Sequence, residues 1–168
     1  GGKTRACKIL DTIINEYFNI KNIKIINSPF FGGGSFEFYM QKKYKLDIVC
    51  NDKFKPLYSF WKSCKNNNKA LCDLLYKCDD ITKEQFNKIK NISMDEQETL
   101  KQAYYYFILN RCSFSGSTLS GGYSREASSK RFTTSSIDRI DHLNLSKMEI
   151  YNKDYIHFIK DIQFNEQN

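Results

Sequence analysis

The sequence predicts an α/β fold with a mainly parallel sheet, interrupted by a segment of different character. Two strand–helix pairs follow one another between residues 22 and 65, and a third pair comes near the end of the chain. The second strand, residues 46–50, is apolar apart from Asp47 near its start, as expected for a parallel strand that is buried on both faces. Alternating strands and helices of this kind favour parallel pairing through crossover helices.

The individual elements follow from the spacing of apolar residues. Ile9, Ile13 and Tyr17 recur every four residues, which predicts an amphipathic helix at the start of the chain. Short β-branched runs predict the strands. The predicted elements are, in order, helix 4–18, strand 22–27, helix 36–43, strand 46–50, helix 54–65, strand 148–151 and helix 154–162.

The middle of the chain departs from this pattern. Apolar residues at helical spacing between residues 66 and 110 predict three helices of a small insertion. Residues 111–136 are rich in serine, glycine and basic residues, which predicts a loop or a β-hairpin. The predicted organisation is residues 1–65 as the first part of the sheet, residues 66–136 as an inserted module and residues 137–168 as the return to the sheet.

Charge and cysteine content narrow the class of protein. The formal net charge of +7 favours an anionic partner such as nucleic acid, although a solvated, lysine-rich surface would give the same balance. No apolar run of about 18 residues exists, so we expect no membrane-spanning helix.

The six cysteines form no CxxC pair, so we expect no metal site. Cys7, Cys50 and Cys64 lie on apolar faces, which predicts buried, reduced thiols in an intracellular protein.

The most specific pattern is a glycine-rich turn after the first strand, followed by an acid at the end of the second. Residues 31–35 read Phe-Gly-Gly-Gly-Ser, and Asp52 ends the next strand. Glycine lets the backbone approach a ligand closely, and a carboxylate at this strand end can accept hydrogen bonds from ribose hydroxyls. The turn lacks GxGxxG spacing, which favours a nucleoside cofactor without phosphates, such as S-adenosylmethionine. A glycine-rich turn without a ligand is the alternative.

The first residues allow a second interpretation. Gly1-Gly2-Lys3-Thr4 resembles the end of a phosphate-binding loop with the pattern GxxxxGK[ST]. A P-loop nucleotide hydrolase is therefore an alternative function, although the glycine turn at residues 31–35 would then need a separate explanation.

Four segments, in order along the chain, resemble the adenine-specific DNA methyltransferases of the Dam-like D12 class. The segments are GGK at residues 1–3, SPFFGGGS at residues 28–35, Asn51-Asp52, and NRCSFSG at residues 110–116. The resemblance implies a Rossmann-like methyltransferase sheet, partial and mainly parallel here, with an inserted helical and hairpin DNA-recognition module. It also implies S-adenosylmethionine as cofactor, double-stranded DNA as partner and methyl transfer to N6 of adenine.

The same resemblance implies the site residues. The cofactor would contact Gly1, Gly2, Lys3, Phe31, Gly32, Gly34, Ser35, Asp52, Asp154 and Tyr155. DNA would contact Arg111, Phe114, Ser115, Gly116, Lys130 and Arg131. Structural alternatives are a helix-terminal acid for Asp154, packing roles for Arg111 and Phe114, and a solvated loop for Lys130 and Arg131.

Two departures from the family pattern affect the expected activity. Ser28 stands where the family usually has glutamate, which weakens a polar contact near the methionine amine. The family's catalytic Asp-Pro-Pro-Tyr motif is absent, because Pro29 and Pro56 are the only prolines, so no catalytic residue is assigned. We expect a methyltransferase fragment whose further partner is the remaining C-terminal portion of the protein. A catalytically inactive relative that binds DNA or cofactor is the alternative.

Overall fold

The computed structural model describes residues 4–167, with side chains described from residue 6 to residue 163. Within this range three parallel strands form one sheet in the order β1-β2-β3, so the predicted α/β class and parallel pairing are confirmed. The elements are α1 (Thr4–Tyr17), β1 (Ile25–Ser28), α2 (Ser35–Tyr44), β2 (Asp47–Asn51), α3 (Lys55–Asn66), α4 (Asn68–Tyr76), α5 (Lys83–Ile92), α6 (Thr99–Cys112), α7 (Arg125–Arg131), α8 (Thr134–Asp141), β3 (Met148–Tyr151) and α9 (Tyr155–Gln167), with 3₁₀ turns at Ile20–Asn22 and Phe114–Gly116.

The chain divides into two compact units. The sheet unit comprises the chain up to Lys53 together with the residues from Ser146 onward, and the helical unit runs from Phe54 to Leu145. The helical unit extends beyond residues 66–136 at both ends, because α3 packs along α6 and α8 packs along α4.

The sheet unit has a small apolar core around its central strand. Ile48 and Cys50 of β2 are buried, as are Met148 and Ile150 of β3, which follows the two-residue alternation of a strand. A second cluster of buried apolar residues in this unit includes Met40 of α2. This cluster contains the buried residues Ile20, Met40 and Leu46, with Ile14, Ile23, Ile26, Phe36, Tyr39 and Tyr44 packed against them.

Asp11 connects α1 to α2 through a buried carboxylate. The carboxylate accepts hydrogen bonds from Tyr39 Oη at 2.9 Å, Tyr44 Oη at 2.7 Å and Lys43 Nζ at 2.5 Å. Burial by itself would raise the pKa of Asp11, but the hydrogen bonds from Lys43, Tyr44 and Tyr39 together hold it below the ordinary value of 3.8. This network fixes the position of α2, the helix that begins at the glycine-rich turn.

The helical unit is organised around α6, which packs against α3, α4, α5 and α7. Gln102 of α6 is fully buried and accepts a hydrogen bond from Ser59 of α3 at 2.6 Å. Its amide also donates to the carbonyl of Ser93 at 3.0 Å, so the buried polar group is satisfied. An apolar core cluster of the helical unit consists of the buried residues Ile81, Phe86, Ile108, Leu109 and Cys112.

The prediction of a loop or hairpin over residues 111–136 holds for residues 113–124 and is wrong for most of residues 125–136, which are helical. One antiparallel bridge joins Ser113 to Tyr123, and two helices, α7 and α8, follow it. The serine and threonine residues that suggested a loop act as helix caps. Ser124 accepts a hydrogen bond from the N–H of Ala127, and Thr133 forms a reciprocal capping box at the start of α8.

The three cysteines that the sequence placed on apolar faces are buried, as predicted. Cys7, Cys50 and Cys64 are buried, and none of the three is disulfide-bonded. Burial raises the pKa of Cys64 well above its ordinary value, which keeps this thiol protonated. None of the helices within residues 4–167 is long and apolar enough to cross a membrane.

Candidate functional sites

The turn between β1 and α2 is shaped by two glycines with left-handed backbone conformation. Gly32 has φ of 55° and Gly34 has φ of 64°. The N–H of Gly34 donates to the carbonyl of Phe31 at 3.0 Å, which closes the turn. A Cβ atom on Gly34 would lie 2.5 Å from the ring of Phe31 and 2.7 Å from the ring of Phe38, so the fold requires glycine there.

The outer side of this turn is open backbone. Among the residues that the structure describes, a Cβ atom added to Gly32 or to Gly33 would meet no atom within 4 Å. The Phe31 ring is only 3% exposed and packs edge-on against Phe38, with ring centroids 5.6 Å apart. The turn therefore offers main-chain atoms, not the Phe31 side chain, to an approaching ligand. Ser35 begins α2, and its carbonyl accepts a weak hydrogen bond from Cys7 Sγ at 3.6 Å.

Asp52 lies directly beyond β2 and is bonded to the glycine turn. Its Oδ2 atom accepts a hydrogen bond from the N–H of Gly32 at 2.9 Å, and the residue is partly exposed. The backbone of Asp52 is held from the β3 side, because its N–H donates to Tyr151 and its carbonyl accepts from the Asn152 side chain at 2.8 Å. The turn and the acid that the sequence singled out thus lie side by side.

Asn51 is a positioning residue that sequence reasoning did not assign. Its side chain is 1% exposed and lies between the segments that follow β1 and β3. The amide donates to the carbonyls of Pro29 at 3.2 Å and Lys153 at 3.0 Å, and its oxygen accepts from the Lys153 N–H at 2.8 Å. Asn51 therefore ties the three strand ends together beneath Asp52. The available signal in the sequence was an asparagine between an apolar strand and the acid that follows it.

Asp154 and Tyr155 lie at the third strand end. Asp154 accepts hydrogen bonds from the N–H of Ile156 at 3.0 Å and from Lys53 Nζ at 3.1 Å, and these interactions, in that order of size, lower the pKa of Asp154. Asp154 thus acts as a helix-terminal acid, while its contact with a cofactor stays a prediction. The Tyr155 ring lies 5.2 Å from the ring of Phe30, which is 69% exposed and was not predicted. Gly1, Gly2 and Lys3, the first predicted cofactor contacts, lie outside the described residues.

In the helical unit, the NRCSFSG segment ends α6 and exposes Phe114. The antiparallel bridge between Ser113 and Tyr123 closes the loop, and the N–H of Phe114 donates to the Gly122 carbonyl at 2.9 Å. Ser115 has a left-handed backbone with φ of 53°. Phe114 is 71% exposed although its backbone is held by these bonds, so its side chain does not serve the core.

Arg131 lies against the inner side of the same loop. Its Nη2 atom donates to the carbonyl of Ser113, and its Nη1 atom is 2.9 Å from the place that a Cβ atom on Gly116 would take. Asn110 supports the loop as well, because its side-chain amide donates to the Gly116 carbonyl at 3.2 Å. The segments around residues 113 and 131, distant in sequence, therefore meet at one place.

Arg111 adds a second guanidinium to this region. Its charged group lies 5.2 Å from the Phe107 ring centroid, and its Nε atom is buried without a hydrogen-bond partner among the described residues. Burial, and then the nearby Arg139 and Arg131, lower the pKa of Arg111. Within residues 6–163 none of these three arginines has a carboxylate within ion-pair distance. Arg111 and Arg131 were predicted from the sequence to contact DNA, whereas Arg139 was not.

Lys130 differs from its neighbour Arg131. It lies on the exposed face of α7, and its Nζ atom forms an ion pair with Glu126 one turn earlier at 2.7 Å. Such exposed pairs contribute little to stability, and the lysine remains accessible.

A glycine turn bonded to an acid at the adjacent strand end is typical of α/β proteins that bind nucleosides. The chain belongs to the D12 class N6 adenine-specific DNA methyltransferase family, whose model matches residues 1–168. The resemblance indicated by the four motifs is therefore confirmed at the level of the family. In the comparison with curated proteins, no sequence matches the chain.

Proposed function

We propose that this chain binds S-adenosylmethionine at the carboxyl ends of its strands and binds double-stranded DNA through its helical unit, in the service of adenine-N6 methylation. The observation that carries the cofactor site is the hydrogen bond between the Gly32 N–H and the Asp52 carboxylate, at 2.9 Å. This bond supports a single ligand site because the glycine turn and the strand-end aspartate, the two parts of the predicted site, are adjacent. Family membership supports the reaction class.

The residues at the sheet edge fit a nucleoside cofactor. The open face of Gly32 and Gly33 leaves room for a ligand against the backbone. The carboxylate of Asp52 would accept hydrogen bonds from the ribose hydroxyls, while Phe30 and Tyr155 would flank the adenine ring. When bound, S-adenosylmethionine supplies an electrophilic methyl group on its sulfonium. Asp52, Phe30 and Tyr155 would bind and orient the cofactor, which is the positioning contribution to catalysis. Gly34, Ser35 and Asp154 shape the site, and Phe31 supports the turn from within.

The loop of the helical unit fits DNA. Adenine N6 becomes accessible to a methyl donor only when the base leaves the helical stack, so the protein needs side chains that replace or separate stacked bases. Phe114, exposed on a held backbone, would take this role, with Ser115 and Gly116 shaping the loop. Arg111, Arg131 and Arg139 would contact phosphates, and Lys130 would add a weaker contact from the exposed face of α7.

Isothermal titration calorimetry of the 168-residue chain tests the cofactor site. S-adenosylmethionine should bind, and Asp52→Ala should weaken binding about 100-fold, because two hydrogen bonds to a charged group together contribute about 3 kcal/mol. Asp47→Ala is the matched control, since Asp47 is an exposed acid at the opposite end of β2, 3.7 Å from Lys147. Unchanged affinity in Asp52→Ala would contradict the proposed site. Tight binding of ATP without binding of S-adenosylmethionine would favour a P-loop nucleotide hydrolase.

A further inference from the structure

Glu37 brings a second carboxylate to the turn. It lies in the first turn of α2, and its Oε1 atom accepts a hydrogen bond from Ser28 Oγ at 2.6 Å. Ser28 is the last residue of β1 and is only 7% exposed, whereas Glu37 is partly exposed. From the sequence, the serine at position 28 predicted a weaker polar contact with the methionine amine of the cofactor. The structure places a carboxylate on that serine from nine residues further along the chain.

Among the residues with described side chains, none forms an ion pair with Glu37. Other acids of the sheet unit do have such partners: Asp11 pairs with Lys43, and Asp154 pairs with Lys53. A serine hydroxyl orients a carboxylate but leaves its negative charge intact. A partly buried carboxylate held in this way is suited to bind a cation.

We infer that Glu37, oriented by Ser28, binds the α-ammonium group of the amino-acid part of the cofactor. The inference rests on the proposed function and adds a specificity-determining residue to it. An ammonium group has three N–H donors and forms short, charge-assisted hydrogen bonds with carboxylates. Asp52, on the adjacent strand end, would hold the ribose, so the two acids recognise opposite ends of one ligand. Glu37 thereby distinguishes an amino-acid-bearing nucleoside from a nucleoside that lacks this group.

A purely structural role for Glu37 makes a different prediction. An acid in the first helical turn stabilises α2 through the helix macrodipole, and its loss would weaken the fold and every ligand alike. If Glu37 recognises the ammonium group, loss of its carboxylate should weaken only those ligands that carry this group. Two nucleosides without a sulfonium charge make the distinction: S-adenosylhomocysteine carries the amino acid, and 5′-methylthioadenosine does not.

Calorimetric titration of both ligands into the wild-type chain and Glu37→Gln tests the inference. Glu37→Gln should weaken S-adenosylhomocysteine at least tenfold and leave 5′-methylthioadenosine within twofold. The double variant Ser28→Glu/Glu37→Ser, which moves the carboxylate to the strand, should recover most of the lost affinity. Asp47→Asn is the control for the loss of one negative charge, and thermal unfolding verifies that each variant folds.

Each outcome of this titration bears on a different part of the proposal. Equal weakening of both ligands in Glu37→Gln, or no weakening of either, overturns the role of Glu37 while leaving the cofactor site intact. Failure of the wild-type chain to bind either ligand overturns the proposed function, and the role of Glu37 with it.

Discussion

The sheet edge and the loop of the helical unit differ in how their charged groups are satisfied. At the sheet edge, Asp52 is bonded to the N–H of Gly32 and Glu37 to the hydroxyl of Ser28, so both acids have neutral hydrogen-bond donors. In the helical unit, Arg111 of α6 and Arg139 of α8 have no carboxylate at ion-pair distance in the part of the chain that carries described side chains. Oriented acids suit a ligand rich in hydroxyl and ammonium donors, whereas uncompensated guanidiniums suit a polyanion. The difference points to two separate ligands for the two regions.

The two regions also place glycine and aromatic residues differently. At the sheet edge the aromatic ring of Phe31 is buried beneath the turn, and the backbone of Gly32 and Gly33 is exposed. In the helical unit the backbone of the loop is bonded internally, and the ring of Phe114 is exposed. Exposed backbone suits close approach by a small ligand, and an exposed ring suits stacking with a base.

The largest effect is expected from Gly34→Ala. This change should lower the free energy of unfolding by about 3 kcal/mol, because a left-handed residue with a Cβ costs about 1–2 kcal/mol and crowding in a packed region adds about 1–3 kcal/mol. The crowding arises at the Phe31 and Phe38 rings. Urea unfolding followed by circular dichroism measures the change.

Gly33→Ala is the matched control for that experiment. A Cβ atom at Gly33 meets no atom of the described residues within 4 Å, so stability should stay within about 0.5 kcal/mol of the wild type. The added methyl group should instead reduce the affinity for S-adenosylmethionine, since it occupies the open face of the turn. A large loss of stability in Gly33→Ala, or none in Gly34→Ala, would show that the turn is built differently.

A smaller effect, dependent on pH, is expected from Asp11→Asn. Removing the buried carboxylate should lower the free energy of unfolding by about 2 kcal/mol at neutral pH, the scale of hydrogen bonds to a charged group. The pKa of Asp11 is lowered in the folded protein, so this stabilisation is present above the ordinary pKa of 3.8 and is lost as the pH falls through the folded value. Urea unfolding between pH 7 and pH 3 should therefore show the two proteins converging at acidic pH. A constant difference across that range would contradict the role assigned to the ionised carboxylate.

The smallest effect separates Arg139 from Lys130. Arg139→Gln should weaken DNA binding about three- to tenfold and reduce the slope of log affinity against log salt by about 0.9, the change for one lost phosphate contact. Lys130→Gln should change affinity by about twofold or less, because its ammonium group is already paired with Glu126 at 2.7 Å. Fluorescence anisotropy with a duplex oligonucleotide at several salt concentrations measures both. Equal effects of the two changes would remove the distinction between the arginine group and the exposed lysine.

The sequence predicted the three strands and the helices that follow them because the signals of these elements are local. The helix 54–65 and the strand 148–151 match α3 and β3 closely, since apolar spacing and β-branched runs fix such elements. The adjacency of Gly32 and Asp52 was also predictable, because neighbouring parallel strands end at the same edge. The first strand lies a few residues later than expected, because a 3₁₀ turn occupies Ile20–Asn22.

The features that the sequence did not predict depend mostly on contacts between residues that are distant in sequence. Serine and threonine, which cap α7 and α8, are equally common in loops, so the two helices were interpreted as a loop or hairpin. The bonds of Asn51 to Pro29 and Lys153 require the third strand, more than 90 residues away, to be in place. The pairing of Ser28 with Glu37 depends on the angle at which α2 leaves the turn, which no spacing rule gives.

Amide chemical-shift mapping offers the most direct test of the site at the sheet edge. ¹⁵N-labelled chain titrated with S-adenosylhomocysteine should show its largest shifts at Gly32, Gly33 and Asp52, with smaller shifts at residues 152–155. Asp52→Ala should abolish these shifts at the same ligand concentration. Shifts that leave the Gly32 and Asp52 amides unchanged, or that cluster in the helical unit, would contradict a cofactor held between the glycine turn and the strand-end aspartate.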